Sequence, residues 1–311
     1  MKKLMAIATV LLLMGASLVT AQSQATLPSL VTTDWLAQHA TDSNLVILEV
    51  RSSATAIQFP DGHIPGAVYA SSVYFQTNYP TQTNVPYDLP TKENFESLVR
   101  KLGINQDSAI VIVNAGLIPK DIMCATRTAW TFDYFGMTNV AVLDGGFGKW
   151  KREGRPISKE VAQTSPGNYS VTSIRSQVLA DFSNVKAALA DKNSVLLDSR
   201  MASDYIGTTK QDFIPVSGHI PGSVNYFAGL ILNADLTFKS AKQITFEMAL
   251  LGITKDKTII TLCNSGQFAT TNWFALEKVA GFQKVSSYDG SVSDWVNSQK
   301  LALTKDEAIQ L

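Results

Sequence analysis

One stretch of the chain carries a nucleophile in a setting that suits it: Cys263-Asn264-Ser265-Gly266-Gln267-Phe268-Ala269. Before it, residues 258–262 (Thr-Ile-Ile-Thr-Leu) form a short apolar and β-branched run, the pattern of a buried strand. After it, residues 268–279 place Phe268, Trp273, Phe274, Leu276 and Val279 at helical spacing. Cys263 therefore stands where a strand ends and a helix begins. Backbone N–H groups converge at such a junction and favour negative charge. The thiolate is the nucleophilic form of cysteine, and this is the environment that favours it. The bland alternative is a packed, inert thiol, the commoner fate of a lone cysteine.

The elements that must position this thiol recur. Residues 45–51 (LVILEVR) resemble 194–200 (SVLLDSR), and Gly62-His63-Ile64-Pro65-Gly66 resembles Gly218-His219-Ile220-Pro221-Gly222. Leu102-Gly103-Ile104 matches Leu251-Gly252-Ile253. Leu143-Asp144-Gly145-Gly146 followed by Trp150 matches Tyr288-Asp289-Gly290-Ser291 followed by Trp295. The order of signals is the same in both halves, which marks a tandem duplication. In the second half a helix is expected over 182–190, with Ser183 as its N-cap, and a strand over 195–198. A helix over 240–251 closed by Gly252, the strand and loop at Cys263, a strand near 284–288 and a short helix around 292–299 follow. This alternation implies an α/β fold: two domains, each a parallel sheet covered by helices on both faces. Ligands of such sheets bind beyond the carboxyl ends of the strands, where Cys263 falls. The expected domains are 30–157 and 179–305, joined by a polar linker over 158–178.

Of 311 residues, 26 are Lys or Arg and 26 are Asp or Glu, so no basic excess points to nucleic acid. Lys2 and Lys3 precede an apolar run from Leu4 to Val19, and Val19-Thr20-Ala21 fits a small-residue cleavage site. Residues 1–21 thus read as a signal peptide cut after Ala21, with Ala25 as the weaker site, and export to a bacterial periplasm is expected. No later segment is long and apolar enough to cross a bilayer, so no stable membrane insertion is expected after cleavage. The chain holds two cysteines, Cys124 and Cys263. The repeat puts them in different domains and different structural slots, which argues against a disulfide. Cys124 lies in an apolar helical stretch over 122–135 and reads as a core thiol. His39, His63 and His219 are too scattered for a metal site.

With these residues in view, the chain resembles the tandem rhodanese-type sulfurtransferases. The pieces that carry the resemblance are the Asp198-x-Arg200 strand end, the GHIPG turn, the six-residue loop opening at Cys263, and the Tyr-Asp-Gly-Ser run ending at Trp295. They span nearly all of the chain after the leader. The resemblance implies a silent first domain and a catalytic second one. The spacing that carries Leu102 to Leu251 also carries Asn114 to Cys263, and asparagine cannot be a sulfur-transfer nucleophile. The implied reaction is a two-step exchange: Cys263 takes the outer sulfur of a donor such as thiosulfate or 3-mercaptopyruvate, then passes it to cyanide, a thiol or a protein thiol. No metal or organic cofactor is implied. The persulfide is an anion, and the N–H groups of residues 264–268 can hold it without a basic side chain. Asn264, Ser265 and Gln267 add side-chain donors, Gly266 permits the turn, and Phe268 faces the pocket mouth.

The departures bear on the donor. Thiosulfate-preferring members carry Arg and Lys after the cysteine, where this chain has Asn264 and Ser265. The Cys-x-Ser-Gly pattern is closer to mercaptopyruvate-using members, yet those place arginines ahead of the GHIPG turn, where residues 201–217 offer only Lys210. Arg200 is a candidate for the donor's anion, though a strand-end Arg paired with a carboxylate more simply fixes the loop, and Arg51 repeats the slot. Trp273 and Phe227 read as packing groups. The competing functions are a non-catalytic sulfur carrier, a Cys-loop phosphatase and a thiol protease. The phosphatase needs an Arg where Ala269 stands, and the sequence places no histidine near the thiol for the protease.

Overall fold

A computed structural model describes residues 26–52, 55–75 and 88–305. The leader and both cleavage positions lie outside these residues. The first sheet contains β1 (Leu30–Val31), β2 (Leu45–Arg51), β3 (Val68–Ser71), β4 (Ala109–Val113) and β5 (Val140–Leu143), in the order β1-β5-β4-β2-β3. The second contains β6 (Leu179–Ala180), β7 (Ser194–Asp198), β8 (Val224–Asn225), β9 (Thr258–Leu262) and β10 (Val285–Tyr288), in the order β6-β10-β9-β7-β8. All their pairings are parallel. The apolar run at 258–262 becomes β9, a central strand whose Ile260 lies opposite Leu196 of β7 and Ser286 of β10. Strand order reverses between β7 and β9, and that switch point is where an open α/β sheet forms its crevice.

The helices cover both faces. They are α1 (Thr33–His39), α2 (Lys92–Lys101), α3 (Pro119–Tyr134), α4 (Gly146–Arg152), α5 (Phe182–Ala190), α6 (Ala202–Tyr205), α7 (Ala241–Leu250), α8 (Ala269–Phe274) and α9 (Ser291–Ser293). Ser240 and Gln243 form a reciprocal capping box at α7. At α5 the cap is Asp181, whose Oδ1 accepts the Asn184 N–H at 2.9 Å, rather than Ser183, whose hydroxyl donates to that same carboxylate. A charged acceptor two residues earlier outcompetes the hydroxyl. The helix expected over 268–279 is in two parts: α8 ends at Phe274 and a π turn, Ala275–Val279, completes it. No helix among the described residues is long and apolar enough to cross a membrane.

Helices α3 and α8 pack together and join the domains. Thr126 Oγ1 lies 3.0 Å from Thr271 Oγ1, and one apolar cluster runs from Phe95, Trp130 and Phe132 to Trp273, Phe274 and Phe282. Each sheet's other face has its own core, around Ile47, Val111 and Trp150 in the first domain and Leu196, Ile260 and Trp295 in the second. The linker is strapped to the first domain. Ser158 bridges His63, the Gly167 N–H reaches Arg100 O at 2.7 Å, and Tyr169 and Val171 are buried.

Candidate active site

Cys263 follows β9 directly, and its loop is tied down from one side. The Cys263 carbonyl accepts the Val292 N–H at 3.1 Å, and the Asn264 carbonyl accepts that of Ser293 at 3.0 Å. The N–H groups of Cys263 and Gly266 both donate to Ser291 Oγ at 3.0 Å, while that hydroxyl donates to Tyr288 O at 2.7 Å. Ser291 is buried and holds a left-handed φ of 51°, a conformation that costs a side-chain-bearing residue and persists where surrounding structure fixes it. Gly266 has φ 74°, and a Cβ there would come within 2.4 Å of Asp289 Oδ1, so only glycine fits.

The N–H groups of Asn264, Ser265 and Phe268 find no acceptor among the described residues. The Gly266 N–H, grouped with them in the sequence reading, is committed to Ser291 instead. Three unspent donors on a tight loop beside a thiol make a nest for an anion.

Cys263 borders a cavity of about 260 Å³. Of the sequence-derived candidates, Arg200, Asn264, Ser265, Gln267 and Phe268 line it with Cys263, and Gly266 lies behind the loop. Met201, Asp204, Gln211, Phe213 and Phe227 complete the wall on the second domain. Phe227, read as a packing group, is a wall of this cavity, 6.2 Å from the Phe268 ring; Trp273 is a core residue, fully buried. Lys120 and Met123 of α3 bring the first domain into the site.

The charges fall unevenly. Arg200 donates to Asp198 through Nε at 2.9 Å and Nη2 at 2.6 Å, and through Nη2 to Gly218 O at 2.9 Å. Its Nη1 reaches Asn264 Oδ1 at 3.4 Å. The guanidinium thus ties β7 and the GHIPG turn to the Cys263 loop with its charge matched in place. Asp204 accepts from Thr209 Oγ1 and Asn264 Nδ2. Lys120 is exposed, with no ion-pair partner among the described residues. His63 and His219 are twins in structure as in sequence: each donates through Nδ1 to a backbone carbonyl and stacks on an aromatic ring, those of Phe59 and Tyr205 respectively.

Both cysteines are free. Burial pushes the Cys124 thiol up to about 11, and its Sγ lies 3.5 Å from Lys120 O, the setting of a packed thiol. Among the described residues no cluster of His, Cys, Asp or Glu is arranged to hold a metal.

Sequence reasoning missed Lys120, Met123, Arg127 and Ser291. Arg127, on α3, crosses the seam to pair with Asp289 and lies 3.4 Å from Gly266 O. Its signal was a lone cation inside the apolar stretch 122–135. For Ser291 the signal was a departure within the repeat, where the first domain has Gly146.

The comparisons with known proteins agree with this architecture. The rhodanese-like domain matches twice, over residues 32–153 and 181–298. The chain is 32% identical over 291 residues to the sulfur carrier protein TtuD of Thermus thermophilus, covering 89% of this chain and 97% of that one. It is 26% identical over 271 residues to the 3-mercaptopyruvate sulfurtransferase of Escherichia coli, covering 84% and 92%. Among solved structures, YnjE shares the fold with a TM-score of 0.79 at 22% identity, over 90% of this chain and 68% of that one. An anaerobic ergothioneine biosynthesis enzyme from Chlorobium limicola does so with a TM-score of 0.78 at 22% identity, over 90% and 71%. The duplicated sheets, the family match in each half and the full-length relatives lead to one assignment: the chain belongs to the rhodanese-like family, as a tandem-domain sulfurtransferase.

Proposed function

We propose that the protein moves a sulfane sulfur from a donor to a thiophilic acceptor through a persulfide on Cys263. The observation that carries this is the thiol at the cavity wall beside the unspent N–H groups of Asn264, Ser265 and Phe268. With thiosulfate, the Cys263 thiolate attacks the outer sulfur. The S–S bond of the donor breaks, its electron pair leaves with sulfite, and Cys263 keeps a terminal sulfur anion. The three N–H groups hold that anion, and Lys120 grips the donor's sulfonate or carboxylate end. A thiolate or cyanide then attacks the terminal sulfur, and the electron pair of the enzyme's S–S bond returns to Cys263. Arg200 positions the loop; Asp198 already matches its charge.

Sulfur carriage without rapid turnover is the second reading. It is favoured by the likeness to a relative named a sulfur carrier and by a loop with no basic residue. One experiment separates the two. Wild-type protein and Cys263→Ser are incubated with thiosulfate or 3-mercaptopyruvate, followed by intact mass and by product release with cyanide or a thiol. One added sulfur on wild type alone, with many turnovers, supports the enzyme; one sulfur per chain without turnover supports the carrier; unchanged turnover in the serine variant removes Cys263 from the reaction. Export belongs to the same proposal, resting on the leader pattern, and N-terminal sequencing of the mature protein from a periplasmic extract tests it.

A further inference from the structure

We propose that Arg127, supplied by the silent first domain, is a positioning residue that aligns the Cys263 loop through Asp289; the inference rests on Cys263 being the reactive thiol. The Arg127 side chain is 1% exposed and that of Asp289 8%. Nη1 of Arg127 donates to Asp289 Oδ1 and Nη2 to Oδ2 at 3.1 Å, a two-pronged pair. The guanidinium also lies 3.4 Å from Gly266 O and packs over the Trp130 ring at 4.6 Å. Asp289 Oδ2 accepts the Leu89 N–H at 3.0 Å, so the first domain holds this carboxylate at two points.

Asp289 in turn forms the floor under the loop. Its carboxylate and carbonyl fill the space behind Gly266, and two residues later Ser291 Oγ receives the N–H groups of Gly266 and Cys263. A shift of Asp289 would therefore move both the turn and the hydroxyl that orient the thiol. The seam does not need this pair for cohesion. It already has a continuous apolar core, and buried ion pairs are weak sources of stability compared with apolar groups of the same shape. Paired with Asp289, Arg127 brings the loop no net charge; its contribution is geometric. Small displacements of a reacting group are costly in rate.

The test uses Arg127→Gln, Arg127→Lys, Asp289→Asn and the double variant Arg127→Gln/Asp289→Asn. Three quantities are measured on the full chain: melting temperature, single-turnover sulfur loading of Cys263 from thiosulfate, and the pH profile of Cys263 alkylation by iodoacetamide, located by peptide mass. Arg127→Gln is expected to melt lower, because it strands a buried carboxylate, and to load sulfur about tenfold more slowly per folded molecule. The double variant removes both charges and is expected to regain the melting temperature but not the loading rate. Arg127→Lys is expected to recover part of the rate. Wild-type loading by the double variant, or a loss in Arg127→Gln that only follows the folded fraction, overturns the proposal. If wild type takes up no sulfur, the persulfide reading fails while the alkylation profile still decides: slowed Cys263 alkylation in the double variant supports alignment by Arg127, and unchanged alkylation overturns it.

Discussion

The two domains share a backbone frame at their strand ends and differ in what fills it. Asn114 O accepts the Phe147 N–H at 2.8 Å, and Ala115 O that of Gly148 at 2.9 Å. Cys263 and Asn264 make the same bonds to Val292 and Ser293, so Asn114 and Cys263 are structural equivalents. In the second domain Ser291 reaches under the loop. In the first, its counterpart Gly146 leaves that space to Asn114, whose Oδ1 would stand 2.4 Å from any Cβ there. The loop N–H groups differ too. Those of Leu117 and Ile118 donate to Asp121 Oδ2 at 3.0 and 3.2 Å, so the first domain fills its own loop with a carboxylate. The first turn of α8 has no acid, and the N–H groups of Asn264, Ser265 and Phe268 keep no acceptor among the described residues.

The seam shows a second contrast. Each domain's Asp-Gly corner takes a backbone N–H from the other: Asp289 from Leu89 and Asp144 from Phe238, at 3.0 and 2.8 Å. Only Asp289 also has an arginine. Asp144 is left with burial as its dominant influence, and its carboxyl is pushed up to about 6. The exchange is thus symmetric in backbone and asymmetric in charge, with the cation on the side where chemistry is proposed.

The largest expected effect comes from erasing the contrast. Cys263→Asn gives the second domain the first domain's strand end, and sulfur loading should fall by about a thousandfold or more in a mass-based single-turnover assay. Next is Asp144→Asn, which keeps an oxygen for the Phe238 N–H while removing the charge. Because the folded carboxyl is raised, the folded chain holds a proton that the unfolded chain has released between about pH 4 and pH 6. Wild-type stability should therefore fall as pH rises through that window, by up to about 3 kcal/mol. Urea melts at pH 4 and pH 7 should show that loss in wild type and its absence in the variant. Ser291→Gly then gives the second domain's corner the residue of its counterpart, Gly146. Sulfur loading should drop about ten- to a hundredfold, as for loss of a preorganising contact. Stability should fall by only about 1–2 kcal/mol, since three lost hydrogen bonds of about 1 kcal/mol each are partly offset by relieved left-handed strain. The smallest is Lys120→Ala, which removes the first domain's cation: KM for thiosulfate should rise about tenfold at low salt with kcat kept, and the gap should narrow as salt is added.

Periodicity carried the fold well. The repeat, the buried run that became β9 and the place of Cys263 at its end were all legible, because strand pattern and turn residues are local signals. The site's other half was not. Lys120, Met123 and Arg127 reach it from a helix more than a hundred positions earlier, and no local pattern records which face of α3 meets α8. Phe227 went astray for the same reason: an aromatic side chain on a wall and one in a core have the same sequence neighbourhood. At 182–190 the extent of the helix was clear, yet its cap was assigned to Ser183, because two polar residues stand within three positions at the helix start and only geometry shows that Asp181 takes the Asn184 N–H.

The apolar interior that α3 and α8 hold in common has a consequence for traffic to the sulfur. Halves welded by such a seam do not part like the covers of a book, since swinging them open would wet Trp130 and Trp273. If Cys263 carries a sulfur, a partner that collects it must come in past the rim, where the exposed side chains of Met201 and Phe213 line the cavity.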